Sequence, residues 1–284
     1  MYFCELYDNK GQQTITEISI KIETKMATAL HQSPIYGPVH SRRIGISLGI
    51  NLMPADGKAC TFDCIYCECG FNAERKPHLP RPTREQVRET LEHKLMGMQQ
   101  EGTIPDVLTF AGNGEPTSHP QFAEIINDTI ALRDKYFPQA KVSVLSNATF
   151  AHRPEVHQAL MRVDNNILKL DTCCDEYIKM VDRPTSSHYS VNDIINTLAS
   201  FKGHVIIQTM FMKGTFERKN VDNTTDTYVT PWLKALRHIA PQEVMIYTID
   251  RDTPAPKLTK ASRHELNIIR DRVAAMGIAC TASY

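Results

Sequence analysis

No apolar run in the 284 residues approaches the roughly 18 that a membrane span needs, and no basic stretch followed by an apolar one opens the chain. A membrane protein and a targeted precursor are therefore not expected. Neither sign of charge is in excess: Lys plus Arg and Asp plus Glu both number 32. That balance excludes a chain-wide basic footprint for nucleic acid or anionic lipid and leaves room only for a local patch. Low-complexity tracts, fixed-period repeats and Gly/Ser-rich linkers are also missing, so nothing marks a boundary between domains. Cysteine is scarce and unevenly placed: eight in all, at Cys4, in a cluster of Cys60, Cys64, Cys67 and Cys69, in the pair Cys173 and Cys174, and at Cys280. Such spacing does not suit a disulfide framework. A reducing, cytoplasmic setting and bound metal are the expectation.

What is present is an alternation. Short apolar runs read as buried strands at 43–52, 106–110, 141–146, 166–171, 204–211 and 244–249. Helical patterns lie between them. The clearest puts Val87, Leu91, Leu95 and Met98 on one face behind a capping box from Thr83 to Gln86. A second follows Ser118 with Phe122, Ile126, Ile130 and Arg133, and a third opens at Ser190 before Ile194, Ile195, Leu198 and Phe201. The last opens at Ser262, with Glu265 three residues on, and stops at Gly277. Strand, helix, strand, helix predicts parallel pairing. Six such units suit an open, partial parallel (β/α)6 TIM-like barrel over 41–284, with function in the loops at the strand C-terminal ends. Residues 1–40 read as a small addition, with a possible β-hairpin around "NKGQQ".

The cysteine cluster lies in the stretch "ACTFDCIYCECG" (59–70), within a loop of about thirty residues that follows the first strand directly. Cys60, Cys64 and Cys67 form C-x3-C-x2-C, which lets one loop wrap a small inorganic cluster from three sides. Zinc competes, but a closed structural site wants four ligands, usually two C-x2-C pairs, and here needs Cys69 or a distant residue. Three thiolates on a four-iron cube leave one iron open to a small molecule.

The motif and its surroundings resemble the radical S-adenosylmethionine (SAM) superfamily, whose C-x3-C-x-aromatic-C pattern is matched by Cys60, Cys64, Tyr66 and Cys67. The resemblance covers roughly residues 40 to 250. "FAGNGEPT" follows the second strand, and its Gly112, Asn113, Gly114 and Glu115 match the element that receives the methionine amino group of SAM. "LSNAT" follows the third, where Ser146 and Asn147 match the polar pair that contacts the ribose. Within the superfamily the strings look most like the iron-sulfur oxidoreductases related to the wybutosine-synthesis enzyme of tRNA modification. That enzyme carries further N-terminal cysteines for a second cluster; this chain has only Cys4 before Cys60. The resemblance implies a 4Fe-4S cluster held by Cys60, Cys64 and Cys67, and reductive cleavage of SAM to a 5'-deoxyadenosyl radical that abstracts hydrogen from an unknown substrate. It implies Tyr66 near the adenine, further SAM contacts from Gln208 and Tyr247, and an electron donor such as flavodoxin or ferredoxin. Lys169, Asp171, Arg183 and Arg251 are the catalytic or substrate-binding candidates, the two arginines for an anionic group.

Plainer readings stand beside these. Lys169 and Asp171, two apart on a strand, equally describe a solvated pair capping it. Asn113 and Glu115 are ordinary turn residues. Cys69 reads as a bystander thiol, His119 and His188 as surface histidines, and "QTMFM" as core. An activase-type partner of another protein, or a noncatalytic zinc or iron-sulfur binding module, would use the same thiols.

Overall fold

The computed structural model describes residues 29–41 and 45–284, together with the backbone of two short strands earlier in the chain. Those strands, β1 (Leu6–Tyr7) and β2 (Gln13–Thr14), pair antiparallel. The remainder of the first 28 residues, Cys4 included, lies outside the described residues.

Strand β3 (Ile35–Ser41) runs antiparallel to β4 (Gly45–Ile50). A prolyl residue cannot donate to a ladder, which restricts Pro38 to an edge or a bulge. Both conditions hold: β3 is an edge strand, and its register shifts between Tyr36 and Val39. The six runs expected from the sequence appear as β4, β5 (Val107–Phe110), β6 (Lys141–Ser146), β7 (Asn165–Lys169), β8 (Ile206–Met210) and, after the short β9 (Met212–Phe216) and β10 (Lys219–Asn220), β11 (Glu243–Tyr247). Each is parallel to its neighbour. After β12 (Leu258–Lys260) comes a seventh parallel strand, β13 (Ala279–Ser283), added beside β11. The sheet order is β13-β11-β8-β7-β6-β5-β4-β3, with β13 and β3 as its edges. Strands β9, β10 and β12 form a separate antiparallel sheet of three.

Helices α1 (Arg84–Gln100), α2 (Phe122–Tyr136), α3 (Pro154–Leu160), α4 (Asp175–Val181), α5 (Val191–Ala199), α6 (Asp226–Ile239) and α7 (Arg263–Ala274) intervene. The Thr83–Gln86 and Ser262–Glu265 capping boxes form as the spacing predicts, and Ser190 caps α5. The second helix differs. Ser118 closes a single turn at Pro116–Ser118, its hydroxyl donating to the Glu115 carbonyl at 2.7 Å. Helix α2 therefore starts at Phe122 and buries Ile125, Ile126, Thr129 and Leu132, while the largely shielded Arg133 side chain pairs with Asp164 and donates to the Ala140 carbonyl. Helix α6 runs through Pro231, a residue that normally breaks a helix. Tertiary packing overrides it: Trp232 is buried and its indole donates to the Leu170 carbonyl at 3.1 Å.

The core follows from the apolar runs. All four residues of β5 are buried, and Leu48, Leu91, Phe122, Val144 and Leu168 join one cluster between sheet and helices. Each such side chain contributes about 1.5–3 kcal/mol by leaving water. A second, smaller cluster gathers Phe62, Ile65 and Tyr66 of the cysteine loop with Tyr177, Val181, Met210 and Met212. The expected "QTMFM" core is real, with Met210, Phe211 and Met212 buried. No helix among the described residues is long and apolar enough to cross a membrane.

Candidate active site

The loop between β4 and α1 is fastened where it enters the cysteine stretch. The Ala59 N–H donates to the Asn113 carbonyl at 2.9 Å and the Ala59 carbonyl accepts from Glu115 N–H at 3.2 Å, an isolated bridge to Gly114. Gly114 has φ +144°, and a Cβ there would lie 1.9 Å from the Ala59 carbonyl oxygen. Only glycine lets the two backbones come this close. Asn113 is fully buried, with its amide committed to the chain: it accepts from His31 N–H at 2.7 Å and donates to the carbonyls of His31 and Pro54, each at 2.9 Å.

Glu115 is the hub of this corner. Its buried carboxylate accepts from Thr117 N–H (3.0 Å), the Ser146 hydroxyl (2.7 Å) and Asn147 N–H (2.7 Å), as well as from the Thr117 hydroxyl. Burial still pushes its pKa above the ordinary glutamate value, against the pull of those donors. The Asn147 amide then reaches the cysteine loop, 2.8 Å from Thr61 Oγ1 and 3.8 Å from Cys60 Sγ. The residues expected after the second and third strands are thus brought together, and onto the Cys60 thiol.

Cys60 and Cys67 are half-buried and Cys64 is buried. Lys58, two residues before the motif, buries its side chain beneath them and donates to the Gly70 carbonyl at 2.8 Å. Burial opposes its charge, but Cys67, Cys60 and Cys64 lie near enough to hold its pKa above the ordinary lysine value. The Cys67 thiol is lowered to about 6 by a hydrogen bond from Cys69, with Lys58 beside it. Cys69 is buried and its sulfur lies 3.5 Å from the Gly112 carbonyl oxygen. Burial raises the Cys60 thiol to about 12 and pushes Cys64 up as well.

At the end of β7 lies a buried polar cluster. Lys169 Nζ stands 3.2 Å from Asp171 Oδ2, 3.0 Å from Asp182 Oδ1 and 3.4 Å from Cys64 Sγ. The Tyr66 hydroxyl contacts Lys169 and donates to Asp171 and Asp182, the last at 3.0 Å. Asp171 also accepts from Met210 N–H at 2.9 Å. These groups are shielded from water, so the solvated-pair reading of Lys169 and Asp171 does not hold. Burial lifts Asp171 to about 7, against the pull of Lys169. Burial opposes the charge on Lys169, and Asp171 and Asp182 more than offset it. Gln208 pairs in register with Lys169, and Tyr247 ends β11 opposite Met210.

The two arginines face the cysteine loop. Arg183 pairs with Asp63 at 3.5 Å and lies over the Phe71 ring, 5.0 Å from its centre. Arg251 pairs with Glu68 at 2.8 Å, both largely exposed. Of the histidines, His188 is exposed, whereas His119 is buried, its ring 2.9 Å from the Pro82 carbonyl and accepting from Gln121 N–H. Cys173, Cys174 and Cys280 are half-buried, and Cys174 packs on the smaller cluster. Sequence reasoning missed Lys58, Asp63 and Asp182. Asp182 follows α4, whose Tyr177, Ile178 and Val181 are buried, a position where a charge is buried only with a partner.

No group of three or more His, Cys, Asp or Glu side chains among the described residues is already gathered as a metal site. The donor chemistry nevertheless suits an iron-sulfur cluster: three soft thiols on one eight-residue span, all near one buried cation that offsets their charge as thiolates.

No protein-family model matches the chain. A UPF0026 protein of Helicobacter pylori (strain J99) is 32% identical over 233 residues, 80% of this chain and 70% of the relative. The crystal structure of SuiB from Streptococcus suis bound to S-adenosylmethionine superposes with a TM-score of 0.58 at 13% identity, over 82% of this chain and 50% of SuiB. The structure of TYW1 with a lysine-pyruvate adduct bound superposes with a TM-score of 0.57 at 14% identity, over 82% of this chain and 75% of TYW1. Both are radical SAM enzymes, TYW1 being the wybutosine-synthesis enzyme, and the chain has their fold. It spans half the length of SuiB.

Proposed function

The chain belongs to the UPF0026 family, and we propose that it is a radical SAM enzyme on an open (β/α)6 partial barrel, with Cys60, Cys64 and Cys67 holding a 4Fe-4S cluster. The observation that supports this best is one hydrogen-bonded corner. Glu115 joins the loops after β5 and β6, and the same corner is stitched to the backbone and thiol of the cysteine loop. When bound, the cluster and SAM supply reductive carbon-sulfur cleavage and hydrogen abstraction from a substrate.

The chain's own residues position and enclose that chemistry. Gly112, Asn113 and Gly114 offer SAM backbone, since the Asn113 side chain is already committed. Glu115 orients Ser146 and Asn147 toward the ribose. Tyr66 is held by Asp171 and Asp182, which fixes the loop over the strand ends, and Gln208 and Tyr247 complete the wall. Arg183 and Arg251 brace the cysteine loop through Asp63 and Glu68, and an anionic substrate would have to compete with those acids. An electron donor such as flavodoxin or ferredoxin and a cytoplasmic location complete the reading.

The test is anaerobic reconstitution, counting iron, sulfide and zinc, then addition of SAM and dithionite with assay of 5'-deoxyadenosine. About four irons and slow 5'-deoxyadenosine release, both lost in Cys64→Ala, are expected. Tightly bound zinc without SAM cleavage would overturn the proposal in favour of a noncatalytic module.

A further inference from the structure

We propose that Lys169 is a positioning residue for the cluster itself: a fixed cation that donates to the Cys64 sulfur and raises the cluster's reduction potential, with Asp182 as the opposing charge. This deepens the radical SAM reading and rests on it.

The geometry is specific. Lys169 Nζ lies 3.4 Å from Cys64 Sγ, and Asp182 Oδ1 lies 3.6 Å from the same sulfur. A lysine normally swings freely on its four-carbon stem. This one is held from two elements, by Asp171 just past β7 and by Asp182 just past α4, and lies over the Tyr66 ring, 4.4 Å from its centre. It has little room to follow substrate, which argues against a role as a mobile acid or base. Among the described residues, Cys64 thus has both a cation and a carboxylate in contact.

Hydrogen bonds to cluster sulfurs and nearby net charge set iron-sulfur potentials. Reduction adds one negative charge, so a cation at a ligand favours the reduced form and a carboxylate disfavours it. The shielded setting weakens screening of both. The two groups must then push the potential in opposite directions.

The experiment is an anaerobic redox titration of the reconstituted full chain without SAM, followed by electron paramagnetic resonance of the reduced cluster. In Lys169→Met the ratio of reduced to oxidised cluster at fixed poise falls about tenfold, a shift of about 59 mV for one electron. In Asp182→Asn it rises, and Lys169→Arg stays close to the parent. If Lys169→Met takes up no cluster, Lys169→Gln, which keeps a donor without the charge, is titrated in its place and the same fall is expected. Unchanged potentials, or shifts of one sign in both Lys169→Met and Asp182→Asn, overturn the inference while leaving the cluster in place. Failure of the parent chain to take up iron and sulfide overturns the function proposed above instead.

Discussion

The Glu115 carboxylate accepts the Asn147 N–H at 2.7 Å, tying the loop after β5 to the loop after β6. Three further hydrogen bonds end on the same buried group. Glu115→Ala strands those donors away from water and is expected to cost at least about 2 kcal/mol. Glu115→Gln, which keeps an acceptor, costs less. Urea denaturation of both variants measures this; equal stability of parent and Glu115→Ala would show that water satisfies the donors.

Two glycines should respond in opposite directions. Gly97 lies inside α1, and a Cβ added there would meet no atom within 4 Å. Gly97→Ala is expected to stabilise by about 0.5–1 kcal/mol, since alanine is the better helix former. Gly114→Ala meets the Ala59 carbonyl and an unfavourable φ, and is expected to lose about 2 kcal/mol or more. Thermal unfolding of the pair checks both signs.

The α7 capping box gives a pH dependence. Hydrogen bonds from Lys213 and Ser262 hold Glu265 at about 2, below the ordinary 4.5. A lowered folded-state pKa contributes stability that is present above the unfolded value and lost as pH falls toward the folded one. The stability difference between the parent and Glu265→Gln should therefore be steady, about 1 kcal/mol, above about pH 5 and shrink toward pH 2. A difference that grows on acidification would refute the assignment.

The Arg251–Glu68 pair is exposed at both ends. Arg251→Ala is expected to change global stability by under about 0.5 kcal/mol, and the effect should vanish at high salt. A larger, salt-resistant loss in urea denaturation would mean that the segment after β11 is an integral part of the fold.

Much of this was legible in the sequence because local signals and tertiary structure agree. Period-two and continuous apolar runs located six strands, and two capping boxes located α1 and α7. Where they disagree, the sequence misled or was silent. Pro231 hid α6, whose buried Trp232 outweighs the broken ladder, and Pro38 hid the edge strand β3. Cys60, Cys64 and Cys67 stood out by spacing and Glu115, Ser146 and Asn147 by resemblance, and Glu115, Ser146, Asn147 and Cys60 do converge. Lys58, Asp63 and Asp182 did not, since a charged residue announces its burial only through partners far along the chain. The same limit applies to Arg183 and Arg251: their loops were visible, but not the acids that occupy them.

Trp232 is the only tryptophan in the chain, and its indole N–H is bonded to the carbonyl of Leu170, the residue between Lys169 and Asp171. The protein thus carries one indole fluorophore, separable from its ten tyrosines by excitation at the red edge and wired to the back of the strand end that bears its buried charges. Its emission is a built-in gauge for that address: unfolding, cluster loading or a substitution at Lys169 can each be followed by light, without a label.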